Sequence, residues 1–336
     1  MQENTSVAAV QKRGLLTLVL AFAAVYLIWG STYLAIKYAI ETMPTFLMAG
    51  FRFLAAGSML LIWARLSRSY EKPTLVHWRT SLIVGALLLG IGNGGVVLAE
   101  HYISSGLAAL LVATVPFWII LLSWMFMSSG RPNWKVTAGL LVGFVGVWLL
   151  IAGGNSDPAV AGDGQMFGVI VILVSTVGWS IGSLYGAHAP TARSPILAAG
   201  MQMFSGGIVL IIIGTLAGEW TKLDLAAVSF NSWIAFIYLI TFGAFVAYTA
   251  YSWLIKNASP ASVSTYAYVN PAIAVVLGWA IAGETLTGRM MVGAGIIVAS
   301  VALITMNKSK KAAEPEREIE RPTIRRTDRP DFSTSG

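Results

Sequence analysis

Residues 14–40 read GLLTLVLAFAAVYLIWGSTYLAIKYAI and contain one charged side chain, Lys37. A helix needs about 20 apolar residues to cross the roughly 30 Å hydrocarbon core of a bilayer, so this stretch is long enough to span a membrane. Nine further hydrophobic stretches follow, with approximate bounds 45–64, 78–99, 105–128, 134–153, 165–186, 195–217, 232–253, 260–282 and 290–306. The sequence therefore predicts an all-α membrane protein with ten transmembrane helices.

The composition favours the same class. Hydrophobic residues make up 56% of the 336 residues and charged residues 11%, against about 25% charged residues in typical soluble domains. The chain contains no cysteine, which excludes disulfides and thiolate metal sites. A net charge of +7 could suggest a nucleic-acid partner, but the positions of the charges favour another explanation.

The basic residues are divided unequally between the two sides of the membrane. If the loops alternate, ten Lys and Arg residues fall on the N-terminal side before the tail, and three fall on the opposite side. Cytoplasmic loops carry such an excess, so both termini are predicted to be cytoplasmic and no nucleic-acid partner is expected. Residues 307–336 mix both signs with Pro and Ser and are predicted to form a disordered tail.

The chain repeats itself once. A shift of 150 residues places Trp29 on Trp179, Ala49-Gly50 on Ala199-Gly200, and Arg52 on Gln202. The two halves, residues 14–153 and 165–306, each hold five predicted helices, so the second half enters the membrane from the opposite side. This predicts an inverted-topology repeat, with a substrate site near the midplane where the halves meet.

Several short motifs occur in an order and spacing that are typical of one transporter family. They are Trp29-Gly30-Ser31, Ala49-Gly50-Phe51-Arg52-Phe53, Gly106-Leu107-Ala108-Ala109-Leu110 with Pro116, and the run from Pro271 through Gly278-Trp279 to Gly283-Glu284-Thr285-Leu286-Thr287. On these motifs the chain resembles the drug/metabolite transporter superfamily, in its EamA-type ten-helix form with two EamA domains.

The resemblance implies a ten-helix carrier of the inner membrane that often exports amino acids or other small metabolites. One departure from the pattern is visible. Where the second half has Gly283-Glu284, the first half has Ser128-Ser129-Gly130, which leaves the role of the terminal glutamate asymmetric.

Helices that line a substrate path should carry polar, small or aromatic residues at three- to four-residue spacing. On this basis we predict that the substrate-binding residues are Trp29, Tyr33, Asn93, Trp179, Ser183, Tyr248, Tyr266 and Asn270. Helix packing and interfacial anchoring also explain such faces, because small residues let helices approach closely and because Trp and Tyr collect at membrane interfaces. Both explanations stay open.

Arg52 lies inside the second predicted span. An arginine at a span centre costs about 2.5–3.5 kcal/mol on insertion scales and usually faces the bundle interior with a partner. It could bind a carboxylate or another anion, or it could be a structural tie to helix-end carbonyls or to an acid such as Glu100 or Glu284. We favour the tie, because Arg52 lies shallower than the midplane. Its repeat partner Gln202 keeps hydrogen-bonding capacity without charge.

Absent motifs narrow the mechanism. The sequence lacks the P-loop, H-E-x-x-H and G-x-S-x-G patterns, so no catalytic residue, metal or cofactor is predicted and the chain is not expected to be an enzyme. No carboxylate lies in the middle of a span, which favours passive or substrate-gradient-driven transport, with Glu100 and His101 as a candidate titrating gate. Pro116 and Pro271 are predicted to kink their helices.

We therefore expect a monomeric secondary transporter that exports small metabolites by alternating access between two repeats. Its expected partners are a small-molecule substrate and the lipid bilayer. The alternatives are a passive channel or a structural membrane component, and a membrane enzyme is the least favoured of the three.

Overall fold

The computed structural model describes residues 2–67, 70–126, 134–151, 164–258, 260–263 and 265–313, and within these ranges the chain forms helices and no strand. Ten helical rods follow one another there: α1 Gln2–Ile40, α2 Thr45–Leu66, α3 Leu75–Ala99, α4 Ser105–Phe126, α5 Trp134–Ile151, α6 Gly164–His188, α7 Pro195–Leu216, α8 in the segments Phe230–Tyr238, Leu239–Val246 and Ala247–Asn257, α9 in the segments Pro260–Val263 and Tyr266–Ala282, and α10 Gly288–Ala313.

These helices have the length and apolarity of membrane spans. In the described part of the chain, α1 to α4 and α6 to α8 are each long and apolar enough to cross a bilayer, and α5, α9 and α10 contain shorter apolar helices. Large apolar side chains lie on the outer surface, as Leu66 at 81% exposure illustrates. An apolar exterior suits a lipid environment, where helices satisfy their own backbone hydrogen bonds. The predicted all-α membrane class is confirmed.

The helices pair in a pattern that repeats after five helices. Helix α1 packs against α8 and α9, and α6, five helices later, packs against α3 and α4. Helix α2 packs along α7, and α5 packs along α10. Every one of these pairs joins the first five helices to the last five, so the interior of the bundle lies between the two predicted halves.

Glycines allow α2 and α7 to touch along their backbones. A Cβ atom on Gly50 would lie 3.1 Å from the carbonyl oxygen of Gly207, and one on Gly57 would lie 3.0 Å from that of Gly200. Because the later glycine of α2 contacts the earlier glycine of α7, the two helices run antiparallel. These four glycines are therefore required by packing.

Two π-helical segments interrupt the α-helical pattern, and the sequence did not predict them. They are Ala86–Asn93 within α3 and Leu239–Val246 within α8, which are the third helices of the two halves. A π-helical turn holds an extra residue in the helix and is frequent at functional sites.

The prolines behave differently in the two halves. Helix α4 has a turn at Ala113 and Thr114, just before Pro116, and Phe117 N–H donates to the Thr114 carbonyl at 2.8 Å. Pro271 lies inside the segment Tyr266–Ala282, which is assigned as helix throughout. The two kinks stay predictions, because an interrupted helix and a continuous one do not by themselves define a bend.

Some predicted features lie outside the described residues. These are the junction between the two halves at residues 152–163, Ser128-Ser129-Gly130, and the part of the predicted tail from residue 314 onward. Residues 307–313, which we expected to belong to the disordered tail, instead continue α10 as helix.

Candidate functional site

Four aromatic side chains form a cluster where α1, α8 and α9 meet. Trp29 lies with its ring centroid 5.1 Å from that of Tyr251 and 5.3 Å from that of Tyr266, and Tyr248 lies 6.3 Å from Tyr251. The indole N–H of Trp29 donates to the Gly243 carbonyl at 3.1 Å, inside the π segment of α8. The structure thus brings three of the predicted substrate residues together with Tyr251, which lies three residues after Tyr248 on the same face of α8.

Trp179 occupies the corresponding place on α6. Its ring packs against Gly92 in the π segment of α3, where a Cβ atom would lie 2.9 Å from indole Cε3. The side chain is 36% exposed. Ser183 donates its hydroxyl to the Trp179 carbonyl at 2.8 Å, so its hydrogen bond is made within its own helix. In the part of the chain that the structure describes, no ring contact joins Trp29 to Trp179.

The other predicted substrate residues lie deeper in the bundle. Asn270 of α9 is 8% exposed, its side-chain oxygen has no hydrogen-bond partner among the described residues, and its backbone carbonyl faces Gly30 of α1. Tyr33 of α1 is half-buried and packs against an apolar cluster that includes Val96 at the end of α3.

Arg52 is bound by Asn93 and not by an acid. It is 4% exposed, and one terminal nitrogen, Nη2, donates to Asn93 Oδ1 at 2.7 Å. The structural tie that we favoured for Arg52 is therefore made to the Asn93 amide, and among the described residues neither Glu100 nor Glu284 forms an ion pair with Arg52. Asn93 precedes Glu100 by seven residues, or about 10 Å of helix, and so lies at the depth of Arg52, while Glu284 is bound by Lys37.

Gln202, the repeat partner of Arg52, lies where α7 contacts α3. Its backbone carbonyl is 2.5 Å from the position that a Cβ atom on Gly85 would take. The contact of α3 with α7 is therefore made by backbone at this point.

Glu100 and His101, which we had predicted to form one gate, lie in different environments: Glu100 is buried and His101 is exposed. Glu100 is 6% exposed, and both carboxylate oxygens are buried without a hydrogen-bond partner among the described residues. It follows the last residue of α3. Burial raises the pKa of Glu100 well above its usual value, Glu284 adds to the rise, and Lys37 and Arg52 oppose it.

His101 lies on the outside. Its Nε2 is 2.8 Å from Thr45 Oγ1, and partial burial lowers the pKa of the imidazole, against an opposing effect of Glu219. It borders an open pocket of about 470 Å³ at the predicted external end of the bundle. The pocket is lined by residues 40–46, Leu98, His101, Tyr102, Ala217, Glu219 and Lys222.

Glu284 joins three parts of the predicted external end. Its carboxylate accepts from the Ser105 N–H and hydroxyl, both at 2.8 Å, and from the Gly106 N–H at 3.1 Å, and it forms a 3.0 Å ion pair with Lys37 of α1. Burial acts to raise the pKa of Glu284, but these hydrogen bonds outweigh it and the pKa lies below its usual value. The first N–H groups of α4 are thereby satisfied by a negative charge, which also suits the helix dipole.

Glu219 performs the same task for α2. It accepts from the N–H groups of Phe46 and Leu47, at 2.9 Å from Oε2 to each nitrogen. Glu219 and Glu284 each follow a left-handed glycine that ends a helix, with φ of 71° at Gly218 and 66° at Gly283. A Gly-Glu pair after an apolar span is the sequence signal that could have identified Glu219, which the sequence analysis missed as a helix cap.

The chain is similar in sequence to known membrane transporters. The profile of the EamA-like transporter family matches residues 15–152 and 166–306. A protein of Escherichia coli strain K12 called "Uncharacterized inner membrane transporter YedA" is 40% identical over 305 residues, which cover 90% of this chain and 95% of that protein. "Uncharacterized transporter YvbV" of Bacillus subtilis strain 168 is 28% identical over 302 residues, which cover 88% of this chain and 93% of that protein.

A solved structure described as "Crystal structure of protein" has a similar fold. Its TM-score is 0.58 at 20% sequence identity, and the match covers 88% of this chain and 98% of that chain. At this identity the likeness concerns the fold alone.

Proposed function

Because this chain belongs to the EamA-like transporter family, with two matched domains that together cover most of its length, we propose that it is a secondary carrier that exports amino acids or other small metabolites. The family and the relative in the inner membrane identify a multi-pass membrane transporter. The substrate class and the direction of transport are our proposals beyond this family assignment. Export also agrees with the resemblance noted from the sequence motifs.

We attribute the transport cycle to alternating access between two inverted repeats. The contact between α2 and α7 carries this proposal. The repeat shift of 150 residues converts Gly50 into Gly200 and Gly57 into Gly207, so it converts the Gly50–Gly207 contact into the Gly57–Gly200 contact. Such an exchange between antiparallel helices is the behaviour of a twofold axis lying in the membrane plane, which is the symmetry of many alternating-access carriers.

The substrate path in this proposal lies between the halves, near the two tryptophans. Trp29 lies at Gly243 of α8 and Trp179 at Gly92 of α3, each in the π segment of the other half. Aromatic rings can cover the apolar part of a ligand, while a few polar groups orient it. Besides Trp29 and Trp179, we propose Tyr33, Asn93, Ser183, Tyr248, Tyr266 and Asn270 as lining residues.

Transport by purified protein tests this proposal. The protein is reconstituted into liposomes, and uptake is measured from a mixed pool of amino acids and other small metabolites. A carrier gives saturable uptake and counterflow, in which preloaded unlabelled substrate accelerates entry of labelled substrate. Uptake that rises linearly without counterflow would instead identify a passive channel, and uptake equal to that of protein-free liposomes would remove the proposed cargo classes.

A further inference from the structure

Two buried residues of opposite charge lie near each other without forming an ion pair. Arg52 is 4% exposed and Glu100 is 6% exposed. Among the described residues, no nitrogen of Arg52 lies within the 4.0 Å of a Glu100 oxygen that defines an ion pair. Glu100 lies seven residues after Asn93, the residue that binds Arg52, and therefore about two helical turns further along α3.

Both side chains keep unused hydrogen-bonding groups. Arg52 donates from Nη2 to Asn93, while its Nε–H is buried and has no partner among the residues that the structure describes. Both oxygens of Glu100 are likewise buried without a partner in the described part of the chain. A buried polar group without a hydrogen bond costs free energy, and a buried charge costs more. Three buried polar atoms of these two side chains therefore lack, among the described residues, the hydrogen bonds that would offset the free energy of their burial.

The neighbouring charged residues are bound to other partners and do not pair with Arg52 or Glu100. Lys37 is the nearby cation that could neutralise Glu100, but it forms its ion pair with Glu284. Glu284 in turn is occupied by the start of α4, where it accepts three hydrogen bonds from Ser105 and Gly106.

Arg52 and Glu100 are connected through one helix, α3, which carries both Asn93 and Glu100. Asn93 and Glu100 are seven residues apart on α3, which puts them on the same face of a helix about two turns apart. Arg52 reaches this face from α2, at the level of Asn93. The guanidinium of Arg52 thus lies at the level of Asn93, about two turns before Glu100 along α3. Among the described residues, no hydrogen bond connects the Arg52 and Glu100 side chains.

We propose that Arg52 and Glu100 recognise the charged end of a zwitterionic α-amino acid, with Arg52 bound to its carboxylate and Glu100 to its ammonium group. This inference rests on the proposed function and specifies the substrate class. A ligand with both charges satisfies both side chains at once. A simple anion pairs with Arg52 but brings a second negative charge towards Glu100, and a simple cation does the reverse. An ammonium group beside Glu100 also favours the ionised carboxylate, as an opposite charge within about 4–6 Å does.

Ligands that lack one charge, combined with variants that lack the other, test the assignment. The probes are L-leucine, isoamylamine and 4-methylpentanoate, and in parallel L-tryptophan, tryptamine and indole-3-propionate. Binding to the full-length protein in detergent is measured by calorimetry. The wild type should bind one of the two amino acids about 30-fold more tightly than either of its single-charge analogues, because each analogue leaves one buried charge unpaired.

The variants should lose this preference in a charge-specific way. Arg52→Gln should bind the amino acid no better than the amine, and Glu100→Gln should bind it no better than the carboxylic acid. Glutamine is the residue that the repeat itself places at the position of Arg52, namely Gln202. If Arg52→Gln gives no monodisperse protein, Arg52→Lys replaces it and should weaken binding of the two carboxylate probes while leaving the amine unchanged.

Glu219→Gln is the matched control. Glu219 is also 6% exposed, but its carboxylate is already bound to backbone N–H groups of α2. This variant should lower the melting temperature without changing the preference among the three probes. If Glu219→Gln also lost the preference for the amino acid over its single-charge analogues, the proposal would be overturned, because the effect would not be specific to Glu100.

Other results would overturn the assignment as well. They are equal binding of acid and zwitterion by the wild type, equal binding of amine and zwitterion, and a uniform loss for all three probes in both charge variants. If neither amino acid binds while proteoliposomes still show counterflow with another metabolite, the zwitterion site is wrong and the carrier function stands. If counterflow is absent for every compound in the pool, the proposed carrier function is wrong, and the zwitterion site that rests on it is wrong as well.

Discussion

At the scale of single residues, the charged side chains at the predicted external end are divided between two tasks. Glu219 and Glu284 bind backbone N–H groups at the beginnings of α2 and α4. Arg52 and Glu100 are equally buried, but among the described residues they keep polar atoms without a hydrogen-bond partner. The first pair stabilises helix starts, whose backbone N–H groups need an acceptor, and the second pair is the ligand site that we propose.

Glu284→Gln should destabilise the protein. The substitution removes the charge that accepts three hydrogen bonds from Ser105 and Gly106 and pairs with Lys37, and we expect a loss of about 2–4 kcal/mol in the free energy of unfolding. Unfolding in detergent at pH 7 measures it. Glu41→Gln, at an exposed position of the same end, should have little effect.

The effect of Glu284→Gln should depend on pH in one direction. The pKa of Glu284 in the folded protein lies below its ordinary value of 4.5, so its stabilising contribution is complete above about pH 4.5 and is lost as the pH falls through the folded pKa. The stability difference between wild type and variant should therefore be constant from pH 6 to 8 and narrow in acid. A difference that instead grows in acid would contradict the assignment of the carboxylate as the hydrogen-bonded form.

Trp29→Ala should weaken substrate binding while the protein still inserts into the membrane. Trp29 contacts Tyr251 and Tyr266 and bonds to Gly243, and we expect the loss of this aromatic surface to reduce affinity about tenfold. Binding of a transported substrate and the monodisperse yield in detergent are measured together. Normal affinity in this variant would place the substrate on another face of the bundle.

At the scale of helices, close backbone contact and irregular segments shape the bundle. Helix α2 touches α7 through glycines, and the π segments of α3 and α8 hold the glycines on which the two tryptophans rest. Small residues are expected between membrane helices, because packing there replaces the hydrophobic effect as the main attraction. The glycines at these contacts are therefore more sensitive to substitution than those that face open space.

Gly57→Ala should separate α2 from α7. Its Cβ atom would lie 2.5 Å from the backbone nitrogen of Phe204, and neither backbone can yield without moving a helix, so we expect a cost of about 1–3 kcal/mol. Gly295→Ala is the matched control, because that helical glycine has nothing within 4 Å of its Cβ position. Melting temperatures of the two variants in detergent should differ, and equal values would contradict the tight contact.

At the scale of the whole molecule, the pairing of helices links the two EamA domains over their full height. Each helix pair described above joins one domain to the other, so the domains cannot move independently without breaking interdomain contacts. At the predicted external end this includes the ion pair between Lys37 and Glu284. Lys37 belongs to the first domain and Glu284 to the second, so this ion pair is itself an interdomain contact.

Reporter fusions test the inverted arrangement. A reporter fused after Asn307 should behave as cytoplasmic, and one inserted near Asp157 should behave as external. Five predicted helices lie between these two positions, and an odd number of crossings places them on opposite sides of the membrane. Enzymatic reporters that are active on only one side of the membrane measure this. Both reporters on the same side would contradict the arrangement of five plus five helices.

The membrane class, the family resemblance and the pairs of positions related by the repeat could all be predicted from the order of the residues alone. Hydrophobic length and composition carry this information, because a bilayer requires long apolar helices whatever their neighbours are. The motif around Arg52 and the Gly-Glu pair at residues 283–284 could be recognised in the same way. These features depend on residues that are close together in the chain.

The partners of the buried side chains could not be predicted in this way. Sequence periodicity places Arg52 on a helix and Glu100 at the end of one, but the relative depth and rotation of α2 and α3 decide that Asn93 binds Arg52 and that Glu100 has no hydrogen-bond partner among the described residues. Likewise, the π segments arise where α3 and α8 pack on other helices, and no local pattern marks them. Side-chain partners across helices follow from packing, since residues 41 or 247 positions apart meet only after the bundle has formed.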